Sequence, residues 1–359
     1  MRREKSVTIL LVLIASTLMT GFPSCANSES GPVRLYSLPE EIVFADERVP
    51  LDHADTEQRI SYWYNSFLSR PWQIERWLQR ADVIFPLVEK ELEHRDMPAD
   101  LKYVAVAESD LDARAVSSDG AAGIWQFTEW TAKDFDLEAN RFVDERYDYE
   151  ASTKAALHYL EQAREAADTW TLACASFNLG ITGVTDRIQR QNSSDYWSMV
   201  FPAETEDYIP RIIAIKIIME DASDLGFSSP DRTAPLKTIE LETGDQPLYI
   251  EDLAEAVDLT FREMWLRNPQ IMKPYIAPGS YRFHVPDRPN ISAEAIKTSL
   301  AEKRYVREVY SLQAGEDLDS AAEELGISRD ELETFNDVES SGDLTAGDEL
   351  IYWRAKDSD

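Results

Sequence analysis

Apolar positions change their spacing sharply at Ile60. Tyr62, Trp63, Phe67, Trp72, Ile74, Trp77 and Leu78 crowd into one short stretch. After Asp82, the residues Val83, Ile84, Phe85, Leu87, Val88 and Leu92 recur at i, i+3/i+4, which predicts a helix with one apolar face. Pro98 suits the first turn of another helix, ahead of Leu101, Val104 and Ala105. Ala151 to Ala167 is rich in strong helix formers, and Thr171–Phe177 and Tyr208–Met219 continue the pattern. Residues 58–228 therefore read as one all-α domain. Ser228-Ser229-Pro230-Asp231 and Pro235 mark its end. Beyond it the chain repeats itself at an offset of 68. Leu253-Ala254, Val257-Asp258-Leu259-Thr260, Met264 and Asn268 align with Ala321-Ala322, Leu325-Gly326-Ile327-Ser328, Leu332 and Asn336. Strand-like runs flank each copy (Lys237–Leu241 and Tyr281–Val285; Val306–Leu312 and Glu349–Trp353). This predicts two small βααβ modules, at 236–287 and 304–355.

The N-terminus has a different character. Arg2, Arg3 and Lys5 precede an apolar run from Val7 to Phe22, and Pro23-Ser24-Cys25 follows. That is the pattern of an export signal at 1–24, too short for a membrane span. Ser24 before Cys25 predicts lipidation of Cys25, although Phe22 and Pro23 fit the usual lipobox poorly. Residues 25–57 lack periodicity and read as a tether and lead-in segment. Lys plus Arg is 36 and Asp plus Glu is 67, for a net charge of −31. Removal of residues 1–24 takes away three cations and Glu4, leaving −31 − 2 = −33. Such acidity excludes non-specific nucleic-acid binding and a basic membrane-surface mode. It suits a protein kept hydrated in high salt. The four His lie far apart with no metal-ligand spacing, so neither a metal nor a cofactor is expected.

One segment stands out chemically. The apolar run Leu101–Ala107 ends on Glu108-Ser109. A carboxyl at the end of an apolar helix is desolvated and feels the negative helix terminus, and both effects favour the neutral acid. A glycosidic oxygen needs such a donor. Position alone is a weak argument in a chain with 67 acids. Its surroundings add to it: Gly120-Ala121-Ala122-Gly123-Ile124-Trp125-Gln126-Phe127, then Ser176-Phe177-Asn178, then Glu204-Thr205 with Tyr208 and Pro210. Glycines allow close backbone approach, Gln126 offers donor and acceptor, and Trp125 either packs on a sugar face or fills the core.

These pieces, with Asp148, Ser152, Ala155-Ala156 and Tyr159-Leu160, resemble in order the five motifs of the lytic transglycosylases of glycoside hydrolase family 23, over roughly residues 45–220. Three positions depart from the family pattern: Phe177 stands for Tyr, Glu129-Trp130 for Pro-Ser, and Tyr149 for Pro. The resemblance implies a mostly α, lysozyme-like catalytic domain. It implies cleavage of the MurNAc-β-1,4-GlcNAc bond of peptidoglycan strands with a 1,6-anhydro product, and Glu108 as acid and then base. It further implies that Ser109 orients Glu108 and that Gly123, Gln126, Phe177, Asn178 and Tyr208 contact the substrate or the acid. The two modules resemble LysM modules, in which Asn268 and Asn336 stand at a frequent Asn position. Asp110 and Asp112 read as solvated loop residues. A lysozyme-type hydrolase and a non-catalytic wall-binding lipoprotein are the alternatives. The expected location is the periplasmic face of a bacterial membrane, as an outer-membrane lipoprotein.

Overall fold

The computed structural model describes residues 36–228, 235–303, 305–338 and 344–355. The export signal and Cys25 lie outside the described residues. Among the described residues no helix is long and apolar enough to cross a membrane.

Eight α-helices build the first region: α1 Ala54–Leu68, α2 Pro71–His94, α3 Lys102–Ser109, α4 Glu129–Asp134, α5 Tyr149–Ala167, α6 Trp170–Leu179, α7 Ile181–Gln191 and α8 Ala203–Glu220. Their starts are written in local chemistry. Pro71 occupies the first turn of α2. The side chains of Thr128, Asp148 and Thr169 accept backbone N–H bonds at the starts of α4, α5 and α6. Pro210 sits inside α8, where it cannot donate to the Glu206 carbonyl; the Tyr196 hydroxyl donates to that oxygen instead, at 3.0 Å. The core runs from Ile60, Trp77 and Val88 through Leu101 and Val104 to Leu160, Leu172 and the isoleucines of α8.

The lead-in segment is more ordered than its sequence suggests. A two-residue hairpin, β1 Val43–Phe44 with β2 Glu47–Arg48, brings Ile42, Phe44, Ala45 and Val49 into that same core. Glu47 then accepts from the Thr171 N–H at the start of α6, and Asp100 from the Ala45 N–H. The folded unit thus begins well before residue 58. Strands of two residues carry no readable alternation, so the pattern could not reveal them.

Both βααβ modules are present. The first has β3 Leu236–Glu242 antiparallel to β6 Ser280–Pro286, with α9 Ile250–Ala256 and α10 Phe261–Arg267 between them. A short pair, β4 Leu248–Tyr249 with β5 Tyr275–Ile276, bridges its loops. α11 Ala293–Glu302 leads to the second, in which β7 Tyr305–Ser311 pairs with β8 Glu349–Ala355 around α12 Leu318–Leu325 and α13 Arg329–Asn336. Asn268 and Asn336 do the same work in each copy. Each side-chain oxygen accepts a final-strand N–H (His284 at 2.7 Å; Ile351 at 2.6 Å) and each amide donates to a carbonyl of the same strand residue.

The first module is joined to the helical region rather than hung from it. Val143 forms an antiparallel bridge with Ile271. Asp144 N–H donates to Gln270 O at 2.9 Å, and Met272 N–H to Phe142 O at 2.8 Å. Buried His284 meets buried Asp148, the cap of α5, at 3.0 Å. Arg282 pairs with Glu145, and Val143 belongs to the module's own apolar core.

Candidate active site

α3 is short because its C-terminus is stopped hard. Asp110 (φ 55°) and Leu111 (φ 56°) are both left-handed, an unusual consecutive pair of non-glycine residues. Tyr103 to Val106 are buried, which fixes α3 and leaves Glu108 at the edge of a cavity of about 490 Å³. Desolvation raises the Glu108 carboxyl above its ordinary value. Glu204 pushes in the same direction, whereas a hydrogen bond from the buried Tyr208 hydroxyl and the charge of Arg211 act against it. The net direction is upward, toward a carboxyl that keeps its proton to higher pH.

Ser109 and Gln126 line the same cavity. The hydrogen bond expected from Ser109 to Glu108 is not the one it makes. Its hydroxyl faces the carbonyls of Ala105 (3.2 Å) and Ile124 (2.9 Å), pinning the end of α3 to the glycine loop. Gln126, itself at φ 52°, donates to the Gly123 carbonyl at 2.8 Å. Gly123 has φ 78°, and a Cβ there would lie 1.9 Å from Arg146 O, so only glycine fits. Trp125 is fully buried with its indole N–H on Thr153, which settles it as core.

Asn178 and Phe177 stand outside the cavity lining. Asn178 accepts from Thr205 at 2.7 Å and donates to Glu204 at 3.3 Å, tying α6 to α8. Phe177 packs among Trp125, Phe127 and Tyr159.

Asp110 is not a solvated loop residue, which corrects the sequence reading, whereas the Asp112 side chain does remain 42% exposed. Asp110 lines the cavity, and its carboxylate accepts from Gln73 (2.9 Å) and the Trp77 indole (2.7 Å). Asp112 pairs with Arg80 at 2.7 Å. The rest of the wall escaped the sequence reading too. Trp63 and Phe67 of α1, Gln73 and Trp77 of α2, and Arg211 and Ile215 of α8 complete the cavity. The aromatic crowding at 62–78 was the available signal, and helix packing accounts for that pattern equally well.

The site thus combines a desolvated helix-end carboxyl, a cavity beside it and a glycine loop pinned against the helix end. Residues 86–200 match the Transglycosylase SLT domain. The chain is also similar to membrane-bound lytic murein transglycosylase D of Escherichia coli (strain K12). They are 27% identical over 284 residues, which is 73% of this chain and 62% of that protein. The same protein of E. coli O6:H1 (strain CFT073) gives the same figures. A candidate tributyltin chloride resistance protein of Alteromonas sp. (strain M-1) is 36% identical over 102 residues, 28% of this chain and 49% of that one. The chain thus spans less than two thirds of the length of these relatives.

Proposed function

We propose that this chain is a peptidoglycan lytic transglycosylase that cleaves the MurNAc-β-1,4-GlcNAc bond. The observation that carries the reading is Glu108, its proton held by burial, facing the cavity with Tyr208 bonded to its carboxylate. The SLT domain match and the murein transglycosylase relatives support it. Glu108 gives its proton to the leaving oxygen as the C1–O bond breaks. The neighbouring acetamido oxygen assists at C1. Glu108, now a carboxylate, takes the proton of the C6 hydroxyl while O6 bonds to C1, leaving a 1,6-anhydro end. Tyr208 stabilises the carboxylate between the two proton transfers. No second carboxylate is needed, unlike in two-acid glycosidases.

A second reading rests on Asp110, which lines the same cavity and supplies the second carboxylate a hydrolase needs. The products separate the two. Transglycosylation leaves ends that borohydride does not reduce, and hydrolysis leaves reducible muramic acid. Purified sacculi digested by wild type, with Glu108→Gln and Asp110→Asn alongside, give non-reducible ends and strong dependence on Glu108 alone. Reducible ends would overturn the transglycosylase reading.

Export with lipidation of Cys25, at the periplasmic face of the outer membrane, is part of the same proposal. The membrane-bound description of the E. coli relatives agrees with it. Cys25→Ser is expected to move the protein from the detergent to the soluble fraction. The βααβ modules are proposed to be LysM-like, with strand order and the two matched Asn residues in support.

A further inference from the structure

The hydrogen-bond ladder of α8 is interrupted beside the group that bonds Glu108. Pro210 has no N–H for the Glu206 carbonyl, and its ring crowds that carbonyl, so the turn 206–210 lacks its own closing bond. Tyr208, whose hydroxyl donates to Glu108, sits in the middle of that turn. The closure comes from outside the helix. The Tyr196 hydroxyl lies 3.0 Å from the Glu206 carbonyl and 2.8 Å from the Thr205 carbonyl, and shares its proton between them. A carbonyl against a buried ring, left without a donor, is costly.

The rest of the connection between α7 and α8 holds that hydroxyl still. Tyr196 is buried, on a short 3₁₀ turn, Tyr196–Ser198, capped by Asp195. Its ring stacks on Phe201 at 5.2 Å and meets Trp197 edge-to-face at 5.0 Å. Gln191, at the end of α7, accepts from the Val200 N–H (2.8 Å) and donates to its carbonyl (2.9 Å), which fixes the segment that carries the ring. Arg59 and Asn178 reach the same turn through its side chains: Arg59 meets Glu206 and Asp207, and Asn178 meets Thr205. Tyr196 bonds the backbone itself.

We propose that Tyr196 is a positioning residue of the catalytic site: by closing the turn that Pro210 opens, its hydroxyl fixes Tyr208 against Glu108. This rests on the reading of Glu108 as acid and then base given above. Tyr196 stands outside the cavity lining and acts through Tyr208. The Tyr208 bond favours the carboxylate, so a loosened turn weakens that bond and lets the Glu108 carboxyl rise further. The other charged groups around Glu108 are Glu204 and Arg211 of α8, with Arg70 and Asp110 in the cavity wall. Arg70 and Asp110 belong to other segments, Arg211 lies beyond Pro210, and Glu204 keeps its bond to Asn178. Arg59, Glu206 and Asp207 surround Tyr196 itself, and Arg59 pairs with both acids.

The test uses the full chain and soluble peptidoglycan strands. Tyr196→Phe keeps the ring and its stacking and loses the hydroxyl. It should lower kcat by about 10-fold with KM within about 3-fold, and move the basic limb of the kcat/KM profile to higher pH. In a Tyr208→Phe background the same change should cost less than about 2-fold, because the group it positions is gone. Pro210→Ala restores an N–H for the Glu206 carbonyl, so in that background too Tyr196→Phe should cost less than about 2-fold. A full loss in either background, or a fall in kcat with the pH limb unmoved, would make Tyr196 a general support and overturn the proposal. If Tyr196→Phe alone does not fold, the Pro210→Ala chain carries the test: a folded, active double variant supports the proposal, and an unfolded or inactive one overturns it. Titration of the Glu108 carboxyl by carbon NMR of Glu-labelled protein, with Glu108→Gln identifying the signal, needs no substrate. A higher midpoint in Tyr196→Phe, with no cleavage by wild type, would refute the catalytic reading and keep the positioning role. Non-reducible ends from wild type, with kcat and midpoint both unmoved by Tyr196→Phe, would do the reverse.

Discussion

Glu108 is held by neighbours that pull in opposite directions, and each can be removed singly. Glu108→Gln keeps the shape and loses the proton, so turnover should fall at least about 100-fold. Its effect on stability has the opposite sign. The folded carboxyl is raised, so the buried anion opposes folding, increasingly as pH rises above the ordinary carboxylate range. Thermal melts should therefore show Glu108→Gln more stable than wild type at pH 7, with the gap closing below about pH 4. Tyr208→Phe removes a donor that favours the anion. The basic limb of the kcat/KM profile should move to higher pH, and turnover should drop by about 10- to 100-fold, the scale of a hydrogen bond to a charged group. Cys174 is fully buried and free, and burial pushes its thiol up. Iodoacetamide should label it only after denaturation. At this scale the sequence showed Glu108 as a helix-end acid in an apolar run. It could not show Arg211 or Gln73, because an isolated polar residue on a helix face looks the same whether it faces solvent or a cavity. Nor could it show that Asp110 is fixed by Gln73 and Trp77, residues more than 30 positions away.

The elements divide by whether their signal is local. α2 and α5 were legible because long periodic runs and good helix formers define them. The matched βααβ repeats were legible because one module checks the other, down to Asn268 and Asn336. The β1–β2 hairpin was not, since tertiary contacts rather than alternation hold its two-residue strands. The loop from Gly120 to Phe127 lies between these cases: its glycines signal a special backbone, but only the fold supplies the reason. Gly123→Ala would drive a methyl into the Arg146 carbonyl. Relief requires the loop to separate from the 144–148 turn, at an expected cost above about 2 kcal/mol by chemical denaturation, with activity lost in parallel. Gly120→Ala makes a control, because its Cβ would meet nothing within 4 Å although its φ of 79° still strains an alanine.

Across the whole molecule, the helical region and the first module share one junction. Sequence composition put a boundary at 228–235, and the chain does change architecture there, but the contacts that hold the junction lie far from that boundary along the chain. Burial alone would raise the Asp148 carboxyl, yet His284 and the Ala151 N–H hold it below the usual range. A depressed carboxyl contributes stability above its unfolded pKa and loses it as pH falls through the folded value, so the Asp148 side of this contact should weaken as pH falls below about 4. His284→Ala leaves Asp148 buried without its partner and should cost about 3–5 kcal/mol near neutral pH. Ending the chain after residue 228 removes Ile271, Arg282 and His284 together. Cleavage of short soluble glycans should then fall with the melting temperature, instead of surviving as it would for a tethered module. The Val143–Ile271 bridge also limits how such a chain can be shuffled. A gene fusion spliced in the 228–235 linker, where sequence alone invites it, would transplant an open edge and an orphaned aspartate. The exchangeable cassette includes at least the helical region and its first module, and because Tyr275 donates to Asp330 and Arg141 pairs with Asp337, cutting away the second module breaks contacts as well.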